Sequence, residues 1–423
     1  MNAKNHAAEA MPEFNNTITV DVDWSSELFV SMDLVARFYA PFGDGSYSGW
    51  QEAVTPPGIT VNNVETSMIN WFPGTDSVSY LGGQQGPGFD QHAQYFRYYP
   101  QQNVTLENHL EINITGQFQK AGYFSVVCYY EVSNFRTGEV LQKQIELFDS
   151  DMMTTSVNGN PYVINNPSVF AYADPEKKSK PYALLPAQVS AEPHPLPSHK
   201  VAVNEDTGAI SFFRLDQDAS DSVIADEVAA DGCSRGYLFS YKTEEQQACI
   251  LRIKVPKTFV ESDTPDTKFG YYQTREFSVG SHIEAFTPPV LNFWTVSSRM
   301  LNDHIDEEGY AYVFFAPNEF VKTMAEEQQT PEAQPPLMTW GNYTGFMLGE
   351  PTFATILRYR VPSDLWQGSP QNGVCYPNAD ALEPVTAEEL GEYLPEMYGD
   401  TFDNFLEGRI GSVEKDGTWP TVE

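Results

Sequence analysis

The residues best suited to contact a ligand fall in the second half of this 423-residue chain: Tyr272, Arg275, His282 and Trp294. An arginine beside aromatic side chains can hold a carboxylate or stack on a sugar ring. A histidine can exchange protons near neutral pH. The alternative is that Arg275 pairs with a neighbouring carboxylate and has only a structural role. We predict that a small-molecule or glycan ligand of this protein contacts these four residues.

A second group of residues, in the acidic segment 216–227, has the ligand types that calcium prefers. Asp216, Asp218 and Glu227 occupy positions 1, 3 and 12 of a segment that resembles an EF-hand loop. Position 6 is aspartate where the EF-hand needs glycine, and the residues before the segment have the composition of a strand, not a helix. The alternative is an acidic loop that caps a short helix. Calcium is the one cofactor that the sequence suggests.

Linear catalytic motifs are missing from the sequence. It contains no G-x-S-x-G, no P-loop, no H-E-x-x-H and no C-x-x-C. Cys233 and Cys249 are close in sequence, and either a disulfide or two buried free thiols is compatible with this spacing. Active sites on β scaffolds can be assembled from scattered residues, so the sequence leaves open whether the protein is an enzyme.

The charge of the chain restricts its partners and its location. The sequence has 24 Lys and Arg residues against 58 Asp and Glu residues, a formal net charge of −34. This charge repels phosphate groups and argues against nucleic-acid partners. No apolar run is long enough for a transmembrane helix, so no membrane insertion is predicted. The acidity favours an extracellular or periplasmic location, although the first fourteen residues do not form a signal peptide.

The distribution of apolar residues predicts an all-β protein. Aromatic residues make up 13% of the sequence, and 29 glycines and 30 prolines interrupt short runs of β-branched and aromatic residues. This pattern is typical of β-sandwiches. The clearest predicted strands are Thr17–Asp23, Leu34–Tyr39, Leu110–Thr115, Tyr123–Glu131, Ala209–Arg214, Ile250–Val255, Tyr310–Phe315 and Ile356–Val361.

The chain is predicted to form two β-sandwich-like domains. Segment 174–200 contains six prolines and is predicted to be a linker, because proline fixes φ and removes a hydrogen-bond donor. The first domain then covers 1–173 and the second 201–375. The remaining segment, 376–423, is acidic. It is predicted to form two short helices at about 386–394 and 400–407, the first opened by a capping box.

Short internal repeats indicate a duplication. ILRIKVPKTF at 250–259 and ILRYRVPSDL at 356–365 share ILR-x-[KR]-VP, and ARFYAP at 36–41 is a looser copy. AGYFSV at 121–126 is similar to TREFSV at 274–279. We predict that one β-sandwich unit has been duplicated; the alternative is coincidence among strands of similar composition.

The same segments resemble a family of mostly secreted bacterial two-domain β proteins. The resemblance rests on LEINITGQFQKAGYFSVVCYY, ELFDSDM, YYQTREFSVGSH, DHIDEEGYAYV and TWGNYTGFMLGEPTFATILRYRVP. That group has a "yfSf" strand in one half and an "RywS" strand in the other. Gly122 stands where the pattern has an arginine. The resemblance implies the fold only, since no activity is established for the group.

Three functions are compatible with these observations. We expect a non-catalytic extracellular or surface β-sandwich protein that binds a small molecule or glycan. The first alternative is an enzyme on a β-sandwich or barrel scaffold, such as a glycan-active or small-molecule lyase, hydrolase or cyclase. The second alternative is a structural subunit of a capsid or surface assembly, which requires a homo-oligomer.

Overall fold

Strands predominate in the structure and the helices are few and short, so the predicted all-β class is confirmed. The structure is a computed structural model. It describes residues 13–21, 27–41, 55–70, 93–98, 109–117, 121–134, 136–138, 140–148, 156–157, 160–161, 182–189, 202–214, 237–258, 273–282, 295–330, 334–351, 354–362, 366, 368, 370 and 383–420. Within these residues, no helix is long and apolar enough to cross a membrane.

The contacts divide the chain into two compact units. Unit 1 contains 1–71, 94–191 and 259–269, and unit 2 contains 72–93, 192–258 and 270–423. The strands of unit 1 are β1 (Glu13–Asp21), β2 (Glu27–Pro41), β3 (Gly58–Val61), β4 (Val64–Thr66), β5 (Ile69–Asn70), β6 (Ala93–Tyr98), β7 (His109–Gln117), β8 (Ala121–Asn134), β9 (Val140–Phe148), β10 (Ser156–Val157), β11 (Asn160–Pro161) and β12 (Tyr182–Val189).

Unit 1 has two main sheets around one core. The order is β1-β7-β3-β4 in the four-stranded sheet and β12-β9-β8-β2-β6-β5 in the six-stranded sheet, and β10 and β11 form a hairpin. Ile112 and Ile114 are fully buried between less buried neighbours, as their alternation predicted. The Phe14 ring of the four-stranded sheet lies 5.6 Å from the Phe124 ring of the six-stranded sheet. The two sheets therefore pack face to face across a shared apolar core.

One strand lies inside the predicted linker 174–200. Residues Tyr182–Val189 form β12, which pairs antiparallel with β9 at the edge of the six-stranded sheet. The pairing shifts its register between Leu184 and Ala187, the interval that contains Pro186. Because an edge strand with a bulge tolerates a missing N–H donor, the prolines do not prevent strand formation here.

The strands of unit 2 are β13 (Ala209–Ile210), β14 (Phe212–Arg214), β15 (Tyr237–Ser240), β16 (Ala248–Lys254), β17 (Thr274–His282), β18 (Thr295–Ser297), β19 (Tyr310–Ala316), β20 (Leu337–Trp340), β21 (Tyr343–Gly349), β22 (Ala354–Pro362), β23 (Glu396–Asp400), β24 (Arg409–Ile410) and β25 (Val413–Glu414). Its helices are α1 (Ser298–Asn302), α2 (Asn318–Gln328), α3 (Ala387–Leu390) with a 3₁₀ turn at Gly391–Tyr393, and α4 (Phe402–Glu407).

Unit 2 also has two main sheets. The six-stranded sheet of unit 2 has the order β13-β23-β16-β19-β21-β20, and the five-stranded sheet has the order β14-β15-β22-β17-β18. The chain passes from the first sheet to the second at Ser211, between β13 and β14. Strands β19 and β21 are parallel, and α2 and β20 lie in the connection between them. The capping box predicted at Thr386 and Glu389 is present at the start of α3.

The sequence repeats occupy matching positions in the two units. In unit 1, Arg37 of β2 pairs with Ser125 of β8. In unit 2, Arg358 of β22 pairs with Ser278 of β17. Next to this pair, two aromatic residues are paired in both units: Phe38 with Phe124 in unit 1, and Tyr359 with Phe277 in unit 2. This shared register is what duplication of a common unit predicts. The copy at 250–259 instead forms β16, in the other sheet of unit 2.

Candidate functional site

The structure describes little of the ligand site predicted from the sequence. Tyr272 and Trp294 lie outside the described residues. The backbone of Arg275 and His282 lies in β17, but their side chains are not described. Their grouping as a ligand site therefore stays a prediction.

The predicted calcium ligands Asp216, Asp218 and Glu227 also lie outside the described residues. Among the side chains that the structure describes, no group of three or more His, Cys, Asp and Glu residues is arranged to hold a metal ion. Calcium binding by segment 216–227 stays a prediction.

Cys249 has a free thiol that is buried in unit 2, whereas Cys233 lies outside the described residues. The state found for Cys249 is therefore the free-thiol alternative. Burial raises the pKa of Cys249 to about 12. Burial also raises the pKa of Cys128, which is free and buried in unit 1. Because the nucleophile is the thiolate, neither thiol is suited to covalent catalysis.

The best-defined group of functional side chains lies on one face of the six-stranded sheet of unit 2. Strand β16 alternates, so Leu251 and Ile253 are buried while Arg252 and Lys254 are partly exposed on the other face. Directly opposite Arg252 are Tyr312 on β19 and Glu396 on β23. We call this group the aromatic surface; its members are Arg252, Lys254, Tyr310, Tyr312, Tyr343, Glu396 and Trp419.

Aromatic rings form the centre of this surface. The ring centroids of Tyr312 and Tyr343 are 5.1 Å apart. The Trp419 ring lies 5.7 Å from each of these two rings and 5.5 Å from the ring of Tyr398. These separations are within the favourable range for aromatic pairs. Trp419 therefore packs over three tyrosines that come from three different strands.

The C-terminal segment holds Trp419 in place through backbone contacts. The Gly417 carbonyl accepts hydrogen bonds from the Asn342 side-chain amide at 3.0 Å and from the Tyr343 hydroxyl at 3.2 Å. The Asn342 N–H donates to the Lys415 carbonyl at 2.6 Å. Gly341 has a positive φ of 60°, and a Cβ at this position would lie 1.8 Å from the Lys415 oxygen. Only glycine allows this approach between the segment and the β20–β21 turn.

The positive charges of Arg252 and Lys254 on the aromatic surface are paired with neighbouring carboxylates. The Arg252 guanidinium carbon lies 3.6 Å from the Tyr310 ring centroid. Its Nη1 donates to Glu396 at 2.9 Å and its Nη2 to Glu308 at 3.3 Å. The Lys254 ammonium lies 3.1 Å from the carboxylate of Glu392. A guanidinium that stacks on a ring and bonds two carboxylates is held in a single orientation.

The tyrosine hydroxyls of this surface remain protonated at physiological pH. Burial raises the pKa of Tyr312 to about 12, and the nearby Asp306 carboxylate acts in the same direction. Burial also raises the pKa values of Tyr310 and Tyr343, although Arg252 acts in the opposite direction on both. These hydroxyls therefore act as neutral hydrogen-bond donors and acceptors.

The aromatic surface is accessible at its Tyr310 end. Tyr310, Tyr312 and Trp419 are partly exposed, whereas Tyr343 is buried. The side chain of Glu308 at the rim is 75% exposed. Two buried N–H groups, Arg252 Nε and Trp419 Nε1, make no hydrogen bond within the described part of the chain. The ring faces and neutral hydroxyls of the exposed end can stack on and hydrogen-bond to a polar ligand.

Another polar group lies close to the predicted ligand site, on the five-stranded sheet. Glu276 and Arg358 are on adjacent strands and each is only 1% exposed. Ser278 lies opposite Arg358, and Ser297 lies opposite Ser278. These four side chains share one face of the sheet. Since they are closed to solvent, they are less suited than the aromatic surface to take a ligand from solution.

The aromatic surface is not among the sites predicted from the sequence. A signal was present, because Tyr310 and Tyr312 alternate with small and apolar residues in a predicted strand, as do Arg252 and Lys254.

Comparison with known proteins found no match to a protein-family model, a curated protein or a solved structure.

Proposed function

We propose that this protein is a non-catalytic binding protein whose aromatic surface holds a glycan or a small molecule rich in hydroxyl groups. The observation that carries the proposal is the grouping of partly exposed Tyr310, Tyr312 and Trp419 around the fixed guanidinium of Arg252. Aromatic side chains have large apolar faces, and Tyr and Trp add a polar atom at their edge. A sugar ring needs both, because it combines C–H faces with hydroxyl groups.

The charges favour an uncharged ligand over a charged one. Arg252 and Lys254 already pair with Glu396, Glu308 and Glu392. An anionic ligand would have to approach these carboxylates and a chain of net charge −34. A cationic ligand would compete with Arg252 for the face of Tyr310. A neutral hydroxylated ligand avoids both conflicts.

Isothermal titration calorimetry of the full chain with oligosaccharides tests this proposal. The probes are maltohexaose, cellohexaose and chitohexaose as neutral chains, and hexagalacturonate as an acidic chain. We expect at least one neutral probe to bind, and Tyr310→Ala to weaken its binding about tenfold, which corresponds to a loss of about 1.4 kcal/mol of stacking energy. Tyr310→Phe keeps the ring and should retain most of the affinity.

Phe320→Ala is the matched control, because Phe320 is a partly exposed aromatic residue on α2 whose ring contacts are with Phe402 and Phe405. It should leave binding unchanged. Binding that survives Tyr310→Ala would show that another surface is used. Failure of all four probes to bind would contradict glycan binding itself and would favour the enzyme or assembly alternative.

The proposal includes a location outside the cytoplasm, supported by the acidity of the chain. Fractionation of the native host cells, followed by immunodetection, tests this part. Recovery with the cytoplasmic fraction would contradict it without affecting the binding measurement.

A further inference from the structure

A row of three hydroxyl side chains crosses the five-stranded sheet. Ser240 on β15 lies opposite Thr355 on β22, and Thr355 lies opposite Ser281 on β17. Residues that are directly opposite on neighbouring strands point to the same face of a sheet. The three side chains therefore form one continuous line, which we call the hydroxyl row.

The hydroxyl row is buried in apolar surroundings. Ser240, Thr355 and Ser281 are 2%, 1% and 0% exposed. Two residues further along the same three strands, and on the same face, the corresponding row is Leu238, Leu357 and Val279, all fully buried. A row of three hydroxyls beside a row of three aliphatic side chains is an abrupt change of polarity inside a core.

Two of the three hydroxyls have no hydrogen-bond partner among the residues that the structure describes. The Oγ atoms of Ser240 and Ser281 are buried and make no hydrogen bond within the described residues. Buried polar atoms in folded proteins are nearly always hydrogen-bonded, to protein or to ordered water. The hydroxyl row therefore requires a partner that both donates and accepts hydrogen bonds.

The polar character continues at the end of the sheet. Lys242 follows β15 two residues after Ser240, and its ammonium lies 2.6 Å from the carboxylate of Glu350. Glu350 directly follows β21, a strand of the six-stranded sheet of unit 2. An ion pair that joins the ends of strands from the two sheets therefore begins two residues along the chain from Ser240.

We propose that the hydroxyl row is a binding site for ordered water inside unit 2. Opposite side chains on neighbouring strands have Cβ atoms about 4.5–5.5 Å apart. A water molecule that bonds two oxygens at about 2.8 Å each spans a similar distance. One water between Ser240 and Thr355 and another between Thr355 and Ser281 would satisfy both unpartnered hydroxyls. Thr355 in the middle can donate to one water and accept from the other.

A crystal structure of the full chain, at a resolution that shows ordered water, tests the site directly. We expect density for a water oxygen within about 2.6–3.0 Å of Ser281 Oγ and of Ser240 Oγ. A row that is dry in clear density, with both hydroxyls still unpartnered, would overturn the proposal.

Urea unfolding of Ser281→Ala gives an independent test, because a water-bound hydroxyl and a dry hydroxyl predict changes in stability of opposite sign. If the hydroxyl binds water, its removal should lower the ratio of folded to unfolded protein about fivefold. If the hydroxyl is buried and dry, alanine should raise that ratio. Thr355→Val keeps the shape of the middle side chain and should also lower the ratio if it bridges two waters. An increased ratio in both variants would overturn the proposal.

Discussion

The ion pair between Lys242 and Glu350 provides a quantitative test of how the two sheets of unit 2 are joined. Lys242 follows a strand of the five-stranded sheet, and Glu350 follows a strand of the six-stranded sheet. Their charged atoms are 2.6 Å apart, and the side chains are only 9% and 25% exposed. The perturbation is a double-mutant cycle with Glu350→Gln, Lys242→Met and the combination of both.

The burial of the two side chains sets the expected magnitudes. Glu350→Gln leaves a buried ammonium without its counter-charge and should destabilise the protein by about 3 kcal/mol, the lower end of the range for broken buried pairs. Lys242→Met leaves the more exposed partner unpaired and should destabilise it by about 1–2 kcal/mol. With both charges removed, the loss should be under about 1 kcal/mol, because well-packed neutral replacements of buried pairs are often nearly neutral. The coupling energy is then about 3–5 kcal/mol.

Equilibrium urea unfolding at pH 7, followed by tryptophan fluorescence, measures the three free energies of unfolding. The pair formed by Arg252 and Glu308 is the matched control, because the Glu308 side chain is 75% exposed. Its coupling should be below about 1 kcal/mol and should fall further in high salt. A coupling for Lys242 and Glu350 as small and as salt-dependent as the control would refute a buried bridge between the sheets.

Three further predictions concern pH, packing and calcium. Burial by itself raises the pKa of Asp400, but hydrogen bonds from Asn404 and from the N–H groups of Gly411 and Thr401 outweigh it and lower this pKa. Asp400 therefore stabilises the fold above its unfolded pKa near 4, and this contribution is lost as the pH falls through the lower folded pKa. The difference in unfolding free energy between the unmodified protein and Asp400→Asn, measured by urea unfolding, should therefore shrink on acidification. A difference that does not change with pH would contradict this. Gly345→Ala would place a Cβ 1.9 Å from the Tyr312 carbonyl oxygen and should destabilise the protein by about 2–3 kcal/mol in thermal unfolding, whereas Gly417→Ala should have little effect. If segment 216–227 binds calcium, millimolar calcium should raise the melting temperature and a chelator should lower it; identical melting curves would exclude this site.

The features that the sequence predicted correctly depend on neighbouring residues. Alternating burial in β7 follows from the pattern around Ile112 and Ile114, and each of the eight predicted strands overlaps an observed strand. The capping box at Thr386 involves residues only three positions apart. The linker predicted across 174–200 stays a prediction, but the local rule for proline on which it rests did not anticipate the edge strand Tyr182–Val189.

The composition of the aromatic surface depends on strand pairing, which local sequence does not encode. Arg252, Tyr310 and Trp419 are widely separated in the chain and meet because β16 pairs with β19 and the C-terminal segment crosses the same face. Alternation indicates which residues of a strand share a face, but not which other strand supplies their neighbours.

The two ILR repeats show where sequence information ends. The local sequence placed a leucine in the core and the following arginine on the opposite face in both β16 and β22, because side chains alternate along any strand. Tertiary structure then gave the two arginines different surroundings. Arg252 stacks on Tyr310 at an accessible surface, whereas Arg358 lies opposite Ser278 and is 1% exposed. The difference arises from the strands that pair with each repeat and from what covers each sheet, and both are decided by contacts between distant parts of the chain.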